Sequence, residues 1–198
     1  EHAVLMGAAG AGLLPLEAEG IAAEAAMFAA TGGVNTHKGA IFLFMTLLCG
    51  IGAHFSGGGD PFSAAAALAA EKSAAQSTHG AAVRAKYAAP GAVGEAAAGF
   101  PTAAFAAGLL AEGAPPLRVL FEIMARTEDT NVLFRGGAPA LDFVHRSAAR
   151  ALSLPDAFLP AEAARLDGEF ILRGISPGGC ADILALALFI AENFPPAP

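Results

Sequence analysis

Alanine, in runs such as Ala64–Ala67, is the feature that most narrows what this chain can become. Hydrophobic residues make up 55% of its 198 positions. Much of that fraction is alanine, the residue with the best helix propensity. Residues that favour strands are thin by comparison: there is no Trp, one Tyr, and little Ile or Thr. The bias predicts an all-α chain, a compact single domain of roughly nine helices over residues 1–194 with a buried central apolar helix. A disordered tail is expected at 195–198.

Stop and start signals place the helices. Glu17 to Ala30 reads as one, ended by Gly32 and Gly33. The next, from about Gly39 to Gly52, is apolar on nearly every face and is therefore the buried one. Asp60-Pro61 reads as an N-cap with proline at the first helical position, opening a helix to about Ala75. Ser77 and Thr78 cap a short helix through Tyr87. Phe100-Pro101 precedes an Ala-Leu helix ending near Gly113, and Pro115-Pro116 opens Leu117 to Arg126. Arg135-Gly136-Gly137 reads as a turn. Helices follow over Leu141–Leu152, Ala161–Leu172 and about Gly179–Glu192.

The apolar stretches Gly39–Ala53 and Ile175–Ala191 raise the question of a membrane. The first is shorter than the ~20 residues a span needs, and Asp182 interrupts the second. Both are read as core helices, and no signal peptide is read at the start of the chain. A net charge of -7 without a basic stripe argues against nucleic acid as a partner. Cys49 and Cys180 lack zinc spacing and read as reduced thiols of a cytoplasmic protein.

Only 15% of residues are charged, so charges beside glycine stand out. Thr31-Gly32-Gly33-Val34-Asn35-Thr36-His37-Lys38-Gly39 leads into the buried helix. Free N–H groups there, as at Gly33, suit an anion. Lys38 adds a point charge for phosphate and His37 a donor, while Asn35 or Thr36 can cap the helix. The same segment also reads as an ordinary capped helix start. In Thr78-His79-Gly80, His79 is a candidate proton carrier, and Arg84 and Tyr87 share a helical face beyond it. Glu95 in a glycine-framed segment is either a general base or a first-turn acid. Asp129 and Asn131 offer hard oxygen ligands for Mg²⁺, and Arg135 a fork for phosphate. In Ser176-Pro177-Gly178-Gly179-Cys180-Ala181-Asp182, two glycines open a hydrophobic helix with an acid near its start. The helix dipole favours Asp182 there; so would a metal.

Together these segments resemble the triphosphoribosyl-dephospho-CoA synthase family. The resemblance lies in Ala30 to Phe42, Thr78 to Tyr87, Gly94 to Ala96 with Gly99 to Pro101, Asp129 to Gly137, and Ser176 to Asp182, in the family's order. Members of the family also carry an upstream Lys-Pro-Gly-Leu-Val segment and a His-containing acidic motif. Neither occurs here, so the likeness is to roughly the C-terminal two-thirds of a member. The chain is then a truncated piece, one part of a split or processed protein, or the product of a gene lacking that region. Cys180 stands where the family more usually has serine.

The resemblance implies a pentosyl transfer. ATP and 3'-dephospho-CoA give 2'-(5''-triphosphoribosyl)-3'-dephospho-CoA and adenine, with the triphosphate retained. Under it, Lys38, Arg84 and Arg135 with Gly33, Gly178 and Gly179 hold phosphates, joined by Asn35, His37, Asn131 and Ser176. Asp129 and Asp182 bind Mg²⁺, and Glu95 or His79 handles the proton. Implied partners are the holo-transferase and acyl carrier protein of citrate lyase or malonate decarboxylase, with room for a homo-oligomer. Two alternatives stay open: an inactive nucleotide- or CoA-binding fragment or split subunit, and a helical metal-dependent phosphohydrolase.

Overall fold

The computed structural model describes residues 1–73 and 86–194, with Ser73 in its backbone alone. The tail expected at 195–198 lies outside the described residues. So does the helix expected from Ser77 to Tyr87, except for Lys86 and Tyr87, which are helical. Among the described residues are ten α-helices, one short 3-10 turn at Asp156–Phe158, and no strand. In chain order the helices are α1 (His2–Ala8), α2 (Leu13–Ala30), α3 (Lys38–Gly57), α4 (Pro61–Ser73) and α5 (Gly91–Ala97). They continue with α6 (Pro101–Ala111), α7 (Pro116–Arg126), α8 (Thr130–Leu152), α9 (Leu159–Arg173) and α10 (Gly178–Asn193). The all-α expectation is met.

Boundaries follow local chemistry. Asp60 Oδ2 accepts the Ser63 N–H at 2.7 Å and the Ser63 hydroxyl at 2.6 Å, which starts α4 at Pro61. These bonds hold the Asp60 carboxyl below its usual range, the hydroxyl bond first. Gly174, at φ 65, closes α9 in the left-handed conformation. Four elements depart from the sequence reading. Helices α1 and α5 were not expected. Helix α2 begins four residues before Glu17, because Pro15 sits in its first turn, where a missing N–H costs nothing. Helix α8 starts at Thr130 and runs through the expected turn. That turn survives as a break at Gly137 (φ 64, ψ -164), two residues before Pro139.

Backbone contacts divide the chain into two compact units. One holds the described residues of Glu1–Thr78 with Ala92–Pro101; the other holds those of His79–Gly91 with Thr102–Pro198.

In the first unit α1, α2 and α4 pack around α3, which buries Leu43, Thr46, Leu47, Cys49 and Ile51. Glycine lets the backbones meet. A methyl on Gly7 would lie 1.8 Å from the Cys49 carbonyl oxygen, and one on Gly52 1.9 Å from that of Val4. On the other side of α3, a methyl on Gly50 would fall 2.2 Å from the Pro61 oxygen. Ser56 ties the α1 end to α3 by donating to the Ala8 carbonyl at 2.8 Å. By length and composition α3 could cross a bilayer, a test that soluble core helices also pass; 44% of its apolar window is buried inside the protein.

In the second unit α7, α8 and α10 pack on one another and α9 rests on α7 and α8. Val119, Ile123, Val132, Val144, Leu186 and Ile190 carry the core. Arg118 on α7 donates to the Leu152 and Leu154 carbonyls at 3.2 and 2.7 Å, where α8 ends, and pairs with Asp156.

Candidate functional site

The second unit joins two of the polar segments through a single carboxylate. Asp129 is 1% exposed and stands just before α8. Its Oδ1 accepts the N–H groups of Asn131 at 2.8 Å and Val132 at 3.2 Å. Its Oδ2 accepts the Cys180 N–H, in the first turn of α10, at 3.0 Å. Three backbone N–H donors thus meet this one carboxylate. One side chain therefore caps α8 and fastens the start of α10 beside it.

Glycine is the space this clamp needs. A methyl on Gly179 would lie 3.1 Å from Asp129 Oδ2, and one on Gly178 would lie 3.1 Å from Asn131 Nδ2. Asn131 thus stands against the opening residue of α10. Gly178 and Gly179 occupy the first two helical positions, where N–H groups have no acceptor inside the helix. Arg135, exposed one turn further along α8, reaches the Gly174 carbonyl at 3.5 Å. Ser176 is exposed in the turn between Gly174 and Gly178. The result is two positive helix ends side by side, with an amide, a guanidinium and a hydroxyl around them, which suits an anion. Asp182 sits one turn into α10, partly exposed. Tyr87 comes to this unit as well: a methyl on Gly137 would be 3.3 Å from its hydroxyl.

Burial pushes the Cys180 thiol well above its ordinary range. The negative charge of Asp129, the hydrogen bond to it, and Asp182 push the same way. The thiol therefore keeps its proton at neutral pH.

Three backbone N–H groups engage the Asp129 carboxylate, which gives it a structural task beside the Mg²⁺ role expected of it. Among the described residues no group of three or more His, Cys, Asp and Glu side chains is placed to hold a metal ion.

The first unit carries the other glycine-rich turn. Gly32 and Gly33 have φ of 65° and 86°, and the Gly33 N–H donates to the Phe28 carbonyl at 2.8 Å. That N–H closes the end of α2 and is not offered to an anion, which corrects the expectation for Gly33. Thr31 donates to the Val34 carbonyl at 2.6 Å and steadies the turn. Asn35 Oδ1 accepts the Lys38 N–H at 3.0 Å and so holds the first residue of α3, whose N-cap position is His37. The Thr36 hydroxyl and His37 Nδ1 lie 2.7 Å apart. Lys38 Nζ pairs with Glu24 Oε2 at 2.6 Å. Glu24 was missed by the sequence reading. It is fourteen residues upstream on another helix, and no local spacing links it to Lys38. Glu95, in α5, is 7% exposed and belongs to this unit. His79 and Arg84 lie outside the described residues.

Fold and site define an all-helical protein with an anion-suited seat at paired helix ends. The chain belongs to the ATP:dephospho-CoA triphosphoribosyl transferase family, whose model matches residues 3–194. It is 40% identical over 204 residues to a protein of Albidiferax ferrireducens named as a probable 2-(5''-triphosphoribosyl)-3'-dephosphocoenzyme-A synthase. That match covers 89% of this chain and 67% of the relative. It is 39% identical over 191 residues to the 2-(5''-triphosphoribosyl)-3'-dephosphocoenzyme-A synthase of Pectobacterium atrosepticum, covering 84% and 62%. The chain thus spans about two thirds, or slightly less, of these relatives' length. A crystal structure described as a candidate triphosphoribosyl-dephospho-CoA synthase from Archaeoglobus fulgidus matches with TM-score 0.67 at 17% identity. It covers 96% of this chain and 93% of that one, a likeness of fold.

Proposed function

We propose that this chain performs triphosphoribosyl transfer from ATP to the 2'-hydroxyl of 3'-dephospho-CoA, releasing adenine. The observation that carries the reading is the Asp129 clamp. It sets the opening N–H groups of α10 beside Asn131 and within the same cluster as Arg135, in a chain of this transferase family. These donors suit the triphosphate, which the reaction leaves intact.

The chemistry balances simply. The bond from the anomeric carbon to adenine breaks and a bond from that carbon to the incoming hydroxyl oxygen forms, through an oxocarbenium-like state. The hydroxyl proton passes to a base and adenine leaves with a proton. A β-linked substrate giving an α-linked product needs one inverting displacement. Glu95 or His79 is our assignment for the proton. Lys38, His37 and Arg84 are assigned to phosphate by the chemistry of their side chains.

Magnesium is proposed to enter with the triphosphate, and Asp182 is the carboxylate assigned to it. Changing Asp182 to Asn and titrating Mg²⁺ tests this; an unchanged requirement removes Asp182 from that role. The holo-transferase and acyl carrier protein of citrate lyase or malonate decarboxylase are the proposed downstream partners, in the cytoplasm.

The deciding experiment is adenine release from ATP, with and without dephospho-CoA. Release that depends on dephospho-CoA supports the transfer. Binding of either substrate without release is the outcome expected of a nucleotide- or CoA-binding piece instead. Phosphate release without adenine ends both.

A further inference from the structure

The residues Tyr87 to Gly91 run along the front half of α8, antiparallel to it, within the second unit. The Tyr87 hydroxyl stands 3.3 Å from where a methyl on Gly137 would lie. Two residues on, Ala89 forms a buried pair with Leu133, against which Tyr87 and Leu141 pack. At the far end, a methyl on Gly91 would meet Thr130 Cγ2 at 3.1 Å. As the segment advances, its contacts on α8 step back from 137 through 133 to 130. Those positions are four and three apart, which is one face of a helix. At about 100° per residue, Asn131 and Arg135 fall on nearly the opposite face. One face of this half-helix is braced and the other carries polar groups toward the start of α10.

The brace lies where α8 needs one. The helix breaks at Gly137, and beyond the break it is anchored in the core by Val144, Ala148 and Ala151. The angle of the front half is set at that break. Tyr87 stands over it, and Leu141, from beyond it, closes on the same Ala89–Leu133 pair. The backbone beside Tyr87 is strained: Ala88 has a φ of 56°, a left-handed conformation that a residue with a Cβ rarely takes. Pro90 keeps Ala89 out of the helical region, so the chain passes extended from the buried Ala89 to Gly91. Arg135, two residues before the break, has only a long 3.5 Å contact to the Gly174 carbonyl to hold it. We propose that Tyr87 is a positioning residue: it fixes the break in α8 so that Arg135 is held toward the opening of α10. The role rests on reading that cluster as the triphosphate seat.

Calorimetric titration of inorganic tripolyphosphate into this chain reads the seat without turnover. Y87A is expected to weaken binding about tenfold, while Y87F, which keeps the ring, stays within about threefold of wild type. In an R135M background, Y87A adds less than about twofold, because the group it positions is gone. A general fault in the fold would weaken both backgrounds alike. Far-UV circular dichroism checks that each variant is folded. If Y87A is not, Y87L serves in its place: it keeps apolar bulk on Ala89 and Leu133, stops short of Gly137, and is expected to show the same loss and the same dependence on Arg135. Equal losses in the two backgrounds overturn the proposal. So do a folded Y87A or Y87L that binds like wild type, a Y87F as weak as Y87A, and a wild type that binds no tripolyphosphate. Adenine release is scored separately: the expected binding shifts without any release end the transfer reading and still support the role of Tyr87.

Discussion

The Asp129 carboxylate receives the backbone N–H of Cys180 from 51 residues away, at 3.0 Å. Its other oxygen caps the helix that Asp129 itself precedes. D129N puts an amide NH₂ where at least one N–H donor now points, leaving buried donors face to face. A loss of about 3 kcal/mol in unfolding free energy is expected, measured by urea titration. In the folded fraction, adenine release falls while the Mg²⁺ concentration giving half-maximal rate stays unchanged. A raised Mg²⁺ requirement would support Asp129 as a ligand.

Gly52 and Gly168 are both helical glycines with opposite surroundings. A methyl on Gly52 meets the Val4 carbonyl oxygen at 1.9 Å, whereas one on Gly168 meets nothing within 4 Å. G52A is expected to lose about 3 kcal/mol or to accumulate insoluble. G168A in exposed α9 gains between about 0.5 and 1 kcal/mol from helix propensity. Thermal unfolding of the two variants side by side checks the difference, and equal effects would refute the crossing of α1 and α3.

Lys38 and Glu24 form a partly exposed pair, worth at most about 1 kcal/mol to folding. If Lys38 serves phosphate, K38M shifts stability by less than that but raises KM for ATP about tenfold or more. E24Q leaves the ammonium in place and should raise KM less. Steady-state kinetics in parallel with melting curves separates the two effects. Equal KM values for wild type and K38M would remove Lys38 from the site.

Both cysteines are buried thiols whose pKa is raised, chiefly by burial in each case. The native state therefore holds protons that the unfolded chain releases. Their contribution to stability is complete below about pH 9, the ordinary thiol value, and is lost as pH rises through the shifted values. Urea midpoints measured on either side of pH 9 should fall with pH, and a C49A/C180S variant should show a shallower fall. Native protein should also resist a thiol reagent at neutral pH. Rapid labelling of either cysteine would contradict the packing.

Much of this fold was legible because its punctuation is local. Pro61, Pro116 and Gly32 mark ends that depend only on backbone geometry. Helix α1 escaped because seven residues give too little periodicity; its place is fixed by contact with α3. The start of α8 escaped because Gly136-Gly137 and Pro139 mark a stop, yet the helix restarts beyond the break. At the site, residue types and turns were readable, and roles were not. Asp129 has the chemistry of a metal ligand, and only tertiary structure shows its oxygens occupied by N–H groups from two helices. Gly33 looked like an anion donor, and its N–H belongs to Phe28. Glu24 carried no sequence signal.

The glycine crossing of α1 and α3 also limits how this lineage can diverge. Positions 7 and 52 have no room for even one carbon, so neither can drift alone. A relative with alanine at either place must carry its first helix roughly 1.5 Å further out to restore ordinary contact. The layers around that helix would then have to thicken in step, and aligned substitutions there should come in compensating sets.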